Sequence, residues 1–226
     1  MEPVDPLKQL DDVRYKELTC MEVIRDGDEE GVDFTSIFRV RYKRKGYILK
    51  LFHSSTYPSP LVESGPHKFD REKCAYERLL HHGVCSQGFV PMCHGWFELR
   101  VPKGSTWLHS FASDEKPPNA LLLEDIFDGV TLSVLNISPS IAGQALLAAD
   151  QMHEAGVLHR DLQPRNTLVR SDGTVVIIDF DKASTWPHKG VNLLSLKKEM
   201  QLCWCLYFSC MLTDQLMDLT PEQVRY

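Results

Sequence analysis

The sequence lacks a long uninterrupted apolar run and lacks an excess of basic side chains. Its longest apolar stretch, residues 200–212, contains Gln201 and Ser209 and is shorter than the ~20 residues that a membrane-spanning helix needs. This stretch therefore predicts a buried helix, and no membrane partner is expected. The 25 basic side chains are outnumbered by 31 acidic ones, which gives a formal charge of −6. Nucleic acid is not expected as a partner either, because duplex binding depends on Lys and Arg that neutralise phosphates.

The sequence also lacks a secretory signal and a metal-binding cysteine pattern. Its first residues have no basic start followed by an apolar segment, so we expect an intracellular, cytoplasmic protein. The seven cysteines are an odd number without metal-finger spacing, and in that compartment they are expected to be reduced. Cys203 and Cys205 fall within the apolar stretch, where core packing is the expected role.

Strand patterns dominate the first 126 residues and helix patterns dominate the rest. A strand is predicted at residues 34–42, because apolar and basic side chains alternate over residues 38–43, which is the period-2 pattern of a half-buried strand. Further strands are predicted at residues 19–25, 47–52, 90–99 and 120–126. Residues 102–118 are polar and irregular and predict a surface insertion. The pattern favours an α+β protein with a small sheet lobe followed by a mainly helical lobe.

Two helices are predicted with defined faces or ends. The first covers residues 69–82 and is expected to bury Cys74, Ala75 and Leu79 on its inner face, with Phe69 and Tyr76 as further candidates. The second begins after Ser138, a serine cap followed by proline in the first turn, and runs to Gly156.

Lys50 stands alone among apolar residues in the strand predicted at 47–52. An ammonium group is costly to bury without a partner. Lys50 is therefore expected either to extend to the surface along its apolar stem or to meet an anion.

Two acids and an amide stand on loops next to apolar strands. Asp161 and Asn166 lie five residues apart, and Asp179 follows the apolar run of residues 175–178. Loops at strand ends are where a scaffold can present groups to a ligand. If these three side chains converge, they form an all-oxygen site suited to Mg²⁺ that bridges phosphate oxygens.

Two short motifs in this region resemble those of the eukaryotic protein-kinase superfamily. His159-Arg160-Asp161-Leu162 with Asn166 is similar to the H-R-D-L-x-x-x-N catalytic loop, and Asp179-Phe180-Asp181 occupies the place of the D-F-G motif. The resemblance covers roughly residues 19–210. It implies a bilobal protein-kinase-like fold in one domain, residues 1–226, with an antiparallel-sheet lobe and hinge at 19–126 and a reduced helical lobe at 127–226.

The resemblance also implies roles for the residues of the two motifs. Asp161 would be the catalytic aspartate, which accepts or orients the substrate hydroxyl, and Asn166 and Asp179 would hold Mg²⁺. Lys50 resembles the third-strand lysine that pairs with the α- and β-phosphates of ATP. Glu72 would hold that lysine, with Glu77 as the competing assignment.

The resemblance also implies that adenine binds at the end of the strand predicted at 120–126. By the same resemblance, backbone groups near Glu124 and Ile126 would bind adenine, and Leu123 would be the gatekeeper. A buried strand followed by a turn would show a similar pattern.

The sequence departs from the protein-kinase pattern in four places. The phosphate-covering loop, residues 26–31, has two glycines and four acids. Asp181 replaces the glycine of D-F-G and is expected to restrict that loop, because Asp tolerates a positive φ less readily than Gly. Gln163 replaces the usual lysine, for which Arg165 is the candidate substitute. No A-P-E motif is found, and in this the chain resembles atypical and small-molecule kinases, including aminoglycoside, choline and lipopolysaccharide-sugar kinase-like groups.

The expected activity is an ATP- and Mg²⁺-dependent transfer of the γ-phosphoryl group to a hydroxyl of a protein or a small-molecule acceptor. Two alternatives stay open. The departures at residues 26–31 and at Gln163 are also typical of a pseudokinase that acts as a binding module. A kinase-like fold can in addition host a different transfer reaction, because fold does not settle function.

Overall fold

The computed structural model describes residues 4–27, 35–53, 67–224 and 226. The chain divides into two compact units, one formed by residues 6–73 and 93–125 and the other by residues 1–5, 74–92 and 126–226. Of the predicted phosphate-covering loop, only Asp26 and Gly27 fall among the described residues. Within that described part, no helix is both long enough and apolar enough to cross a bilayer.

The first unit is built on an antiparallel sheet of five strands in the order β1-β2-β3-β5-β4. The strands are β1 (Leu18–Arg25), β2 (Thr35–Tyr42), β3 (Lys45–Phe52), β4 (Cys93–Glu98) and β5 (Asn119–Glu124). A two-residue turn joins β2 to β3, with Tyr42 opposite Lys45 and with positive φ at Lys43 (46°) and Arg44 (68°). Both central residues of a type I′ turn need this conformation, so β3 begins two residues earlier than predicted.

The core of this unit lies against one face of the sheet. Phe38 and Val40 of β2 are fully buried and alternate with more exposed neighbours, as expected of a half-buried strand. In β3, residues 49–52 are all buried. The prediction that residues 102–118 form a surface insertion is wrong in part, because Leu108 and Phe111 belong to this core. The prediction failed because the segment is polar on average, and an average does not show that two apolar residues within it are buried.

A segment before β1 covers the outer edge of β4. The Trp96 N–H donates to the Lys8 carbonyl (3.0 Å), and the Leu10 N–H donates to the Trp96 carbonyl (2.8 Å). Gly95 has φ +139°, and a Cβ there would lie 2.5 Å from the Lys8 carbonyl oxygen. Only glycine therefore permits this close approach, which leaves less of the β4 edge open to pairing with another chain.

The predicted helix at 69–82 is α1 (Lys68–His81). Ala75 and Leu79 are fully buried, as predicted, but Cys74 is exposed. The buried stripe of α1 runs through Phe69, Glu72 and Tyr76. Cys74 lies away from this stripe because each residue advances about 100° around a helix.

The second unit contains helices and short strands. Helix α2 (Pro139–Glu154) begins where predicted, with the Ser138 side chain accepting from the Ile141 N–H. The short strands are β6 (Val130–Thr131), β7 (Val157–Leu158), β8 (Thr167–Val169), β9 (Val175–Ile177) and β10 (Ser184–Thr185). They form one sheet in the order β6-β8-β9 and a pair, β10-β7. Helix α3 (Leu193–Trp204) continues through a π-helical turn (Cys205–Met211) into α4 (Leu212–Leu216).

The prediction that residues 200–212 form a buried helix holds for one stripe only. Cys203, Tyr207 and Met211, which are spaced four residues apart, are buried. Leu202 (70% exposed) and Trp204 (52% exposed) lie off this stripe. Core packing is confirmed for Cys203 and is wrong for Cys205, which is exposed.

Candidate active site

Lys50 of β3 meets a buried anion. Its Nζ lies 2.5 Å from Oε2 of Glu72 on α1, and the two side chains are 4% and 0% exposed. Of the two outcomes that the sequence left open, the structure shows the pairing with an anion. Glu77, the competing partner, is half-buried on the same helix.

The position of Glu72 follows from aromatic packing one helical turn earlier. The Phe69 ring lies 5.6 Å from the ring of Phe52 at the end of β3 and 5.6 Å from the ring of Trp96 on β4. Residues three apart lie on the same face of a helix. Phe69 therefore fixes the face of α1 that directs Glu72 towards Lys50.

Asp161 and Asn166 are brought into direct contact in the loop that follows β7. The Asn166 side-chain Nδ2 donates to the Asp161 carbonyl oxygen (2.9 Å) and to Asp161 Oδ2 (3.2 Å). Asn166 also accepts, at its carbonyl oxygen, the N–H of Ile178 (2.9 Å). Since Asp179 follows Ile178, this hydrogen bond joins the segment of Asp161 and Asn166 to the start of the Asp179-Phe180-Asp181 segment.

The backbone turns sharply at Asp179, which has φ +69°. Asp is among the residues that enter this region most readily after glycine. Asp181 is not among the residues with positive φ, and its side chain is buried. The conformation that favours glycine therefore falls two residues earlier than the position of the D-F-G glycine, at Asp179 instead of Asp181.

A buried aromatic contact links the two motifs. The rings of His159 and Phe180, both fully buried, lie 4.8 Å apart, and Phe180 also packs against Tyr76 of α1 at 5.5 Å. His159 Nε2 hydrogen-bonds to the Ile178 carbonyl oxygen (3.0 Å). Burial lowers the pKa of His159, so the imidazole is held neutral and can donate to that carbonyl.

Two cations contact the Asp161 carboxylate. Arg165 Nη2 lies 3.0 and 2.9 Å from its two oxygens, and Lys182 Nζ lies 2.9 Å from Oδ2. Burial alone would raise the pKa of Asp161, but the hydrogen bonds from Lys182 and Arg165 outweigh it and lower the pKa. Arg165 Nη1 also donates to the side-chain oxygen of Gln163. Gln163 thus orients the cation that the sequence offered as a substitute for the missing lysine.

Sequence reasoning missed Lys182. Its only sequence signal is a basic residue directly after Asp179-Phe180-Asp181. Nothing in the spacing alone connects that residue to Asp161, which lies on a different segment.

Sequence reasoning also missed Glu199 of α3, which is 8% exposed. Glu199 accepts hydrogen bonds from the backbone N–H groups of His159 (3.1 Å) and Arg160 (2.5 Å) and pairs with His153 Nε2 (2.7 Å). Burial raises the pKa of Glu199, but the hydrogen bonds from His153 and the Arg160 N–H outweigh it, so the net shift is downward. An ionised carboxylate on α3 therefore fixes the backbone just before Asp161, including Arg160 with its φ of +69°.

Glu199→Ala is expected to destabilise the protein by about 3 kcal/mol, because the buried N–H of His159 and the partly buried N–H of Arg160 lose their acceptor. The measurement is the free energy of unfolding in urea. Glu199→Gln keeps an acceptor oxygen and is expected to cost less. Glu154→Ala, at an exposed position on α2, is the control and should cost less than about 0.5 kcal/mol. An Ala variant as stable as the Glu154 control would contradict the role of Glu199.

The residues assigned to adenine lie at the end of β5 and just beyond it. Leu123, 6% exposed, pairs in register with Ile48 of β3 and Cys93 of β4. Glu124 is half-buried opposite Tyr47, and Ile126 is 7% exposed. Their nucleotide-binding roles stay predictions.

The oxygen donors Asp179 and Asn166 have the chemistry that Mg²⁺ prefers. Both hydrogen bonds that Asn166 donates to Asp161 come from Nδ2, so they leave its amide oxygen Oδ1 for a cation. Among the described residues, no group of three or more His, Cys, Asp or Glu is placed to hold a metal. A carboxylate and an amide that share Mg²⁺ with nucleotide phosphates do not require such a group.

Part of the candidate site lies in a segment that is similar to known kinases. Residues 143–205 match the lipopolysaccharide kinase (Kdo/WaaP) family. Asp161, Asn166, Asp179, Lys182 and Glu199 all fall within that match. These five residues therefore lie in the part of the chain that is similar to the family.

Several curated proteins, most of them named as protein kinases, are also similar to parts of the chain. Protein kinase PINOID of Oryza sativa subsp. japonica is 45% identical over 40 residues, 18% of this chain and 8% of that protein. Serine/threonine-protein kinase greatwall of Mus musculus is 25% identical over 107 residues, 43% of this chain and 12% of that protein. Phototropin-2 of Oryza sativa subsp. japonica is 29% identical over 102 residues, 39% and 11% respectively. The chain thus spans only about a tenth of the length of these relatives.

These similarities confirm the predicted resemblance to the protein-kinase-like superfamily and the α+β, protein-kinase-like fold class. They also support the prediction of a kinase, and the match to the lipopolysaccharide kinase family agrees with the expected atypical character.

Proposed function

We propose that the protein is an ATP- and Mg²⁺-dependent phosphotransferase that acts on a hydroxyl of a protein or a small-molecule acceptor. The acceptor oxygen forms a bond to the γ-phosphorus, and the bond between that phosphorus and the β–γ bridging oxygen breaks. ADP leaves with the bonding electron pair, and the hydroxyl proton passes to Asp161. In such a reaction the protein contributes positioning and charge stabilisation rather than covalent chemistry.

Asp161 is the residue to which the reacting hydroxyl is assigned. It is ionised, because its pKa is lowered by Lys182 and Arg165 despite burial, and its side chain is held by Asn166. An ionised and oriented carboxylate can accept a hydrogen bond from a hydroxyl and align the oxygen for in-line attack.

Lys50 is assigned to the α- and β-phosphates of ATP. Its buried pairing with Glu72 holds the ammonium in one position, since a buried Lys side chain has little rotamer freedom. The adenine base is assigned to backbone groups near Glu124 and Ile126, with Leu123 as gatekeeper. Mg²⁺ would be held by Asn166 and Asp179 and would neutralise charge on the phosphate oxygens.

The observation that carries this proposal is the hydrogen-bonded unit of Asp161 and Asn166, tied through Ile178 to the segment of Asp179. A pseudokinase has no chemical need for this arrangement. The glycine-poor loop at residues 26–31 motivates the pseudokinase alternative, and the experiment below distinguishes the two.

The test is the melting temperature of the protein with and without ATP and Mg²⁺. A ligand at about 100 times its Kd adds about 2.7 kcal/mol to the stability of the native state. For a protein of this size each kcal/mol raises the melting temperature by about 2–4 °C. At that ATP concentration we expect the melting temperature to rise by about 5–11 °C. The rise should require Mg²⁺, and Asp179→Ala should abolish it.

Asp172→Ala is the matched control, since Asp172 lies on an exposed turn before β9 and should leave the rise unchanged. No rise at millimolar ATP, or an equal rise without Mg²⁺, would contradict the proposal and favour a binding module.

A further inference from the structure

Lys182 is held near Asp161 by the fold on both sides of its backbone. Before it, Phe180 is fully buried and Asp181 is buried. After it, the Ala183 N–H donates to the Phe180 carbonyl (3.0 Å), and Ser184 of β10 pairs with Leu158 of β7. The backbone of Lys182 is therefore fixed, although its side chain is 51% exposed.

Within the ion-paired group of Asp161, Arg165 and Lys182, the charges do not cancel. One carboxylate faces two cations, Arg165 Nη2 and Lys182 Nζ, at 2.9 Å each from Oδ2. The group of three carries one positive charge in excess, and both cations remain half-exposed. A local positive excess that solvent can reach is suited to an anion such as a phosphoryl group.

Stability does not account for this arrangement. Ion pairs made by half-exposed side chains contribute little to folding, since water and salt screen them and the long side chains lose entropy. The backbone of Lys182 is fixed, yet its ion pair with Asp161 adds little to stability. A role in the chemistry of Asp161 explains this arrangement better than a role in folding.

We propose that Lys182 is a positioning residue for phosphoryl transfer, which holds the Asp161 carboxylate from the segment after Asp179 and supplies the positive charge that Gln163 does not. This inference rests on the proposed phosphotransferase function. In protein kinases this charge belongs to a lysine within the catalytic loop. Here the inference assigns it to Lys182, in the segment that follows Asp179.

The experiment measures ADP formation from Mg·ATP by the full chain, as kcat and KM for ATP, with water taking the γ-phosphoryl group in place of the acceptor hydroxyl. Lys182→Ala is expected to lower kcat about 10²-fold, the usual effect of removing one charge-stabilising group, with KM within about twofold. Lys182→Arg keeps a cation at this position and is expected to restore at least a third of the wild-type kcat. Lys189→Ala, at an exposed position in the same segment, is the control and should match the wild type.

The melting temperature of each variant separates positioning from folding. We expect all three variants to melt within about 2 °C of the wild type. A Lys182→Ala enzyme that keeps kcat within twofold overturns the inference and leaves the phosphotransferase function standing. The inference is equally overturned if Lys182→Arg loses as much activity as Lys182→Ala. Absence in the wild type of both Mg²⁺-dependent ADP formation and the Mg²⁺-dependent rise in melting temperature would instead refute the proposed function, and the inference with it.

Discussion

Asp161→Asn should lower the rate of Mg·ATP turnover by about 10³-fold, within the range that general acid–base groups contribute. The amide has nearly the shape of the carboxylate but carries no charge and cannot take the proton of an acceptor hydroxyl. Arg165 and Lys182 lose their anionic partner, yet both are half-exposed, so the loss of stability should be small. ADP formation and the melting temperature are the two measurements.

Asp172→Asn is the control for this change. Asp172 accepts hydrogen bonds from Thr174 on an exposed turn, so the variant should keep full activity. An Asp161→Asn enzyme that turns over ATP at the wild-type rate would show that this residue is not the catalytic carboxylate. A loss of activity together with a large fall in melting temperature would instead assign Asp161 to folding.

The strands and α1 could be predicted because local pattern and burial agree there. In β2 the alternating side chains face one core, so period 2 in the sequence becomes period 2 in burial; in β3 an apolar run becomes a run of buried residues, 49–52. The environment of Lys50 could be predicted in the same way. A charge inside an apolar strand requires a partner, and the structure supplies Glu72.

Segments with no periodicity were predicted less well. Residues 102–118 contribute Leu108 and Phe111 to the core of the first unit, and residues 8–10 pair with Trp96. These contacts join parts of the chain that are far apart in sequence. Composition averaged over a loop does not reveal a few buried anchors, and a short extended segment without alternation gives no strand pattern.

The residues of the candidate site also divide into those that could be predicted from the sequence and those that could not. Asp161, Asn166 and Asp179 could be found because each belongs to a short motif. Glu199 and Lys182 could not, because each acts through a contact that depends on tertiary structure: α3 brings Glu199 to the backbone of Arg160, and the turn after Asp179 brings Lys182 to Asp161. Spacing in the sequence does not encode such pairings, since they are fixed only when the elements pack.

The buried pair of Lys50 and Glu72 is expected to serve both folding and activity, and substitutions can separate the two roles. Lys50→Met removes the ammonium from a carboxylate that is fully buried. Removing one partner of a buried ion pair costs about 3–5 kcal/mol. The free energy of unfolding in urea should fall by this amount, and ATP turnover should be lost with the phosphate contact.

The double variant Lys50→Met/Glu72→Leu replaces both charges with apolar side chains and should recover most of the lost stability, because a buried ion pair can often be exchanged for apolar packing at little cost. ATP turnover should not recover, since the phosphates still lack the ammonium. Lys73→Met, on the neighbouring helix position and half-buried, is the control for the change of charge. Recovery of turnover in the double variant would show that Lys50 acts only in folding. An unfolding free energy that stays low would show that the pair itself, rather than the removal of one charge, determines the stability of this part of the sheet.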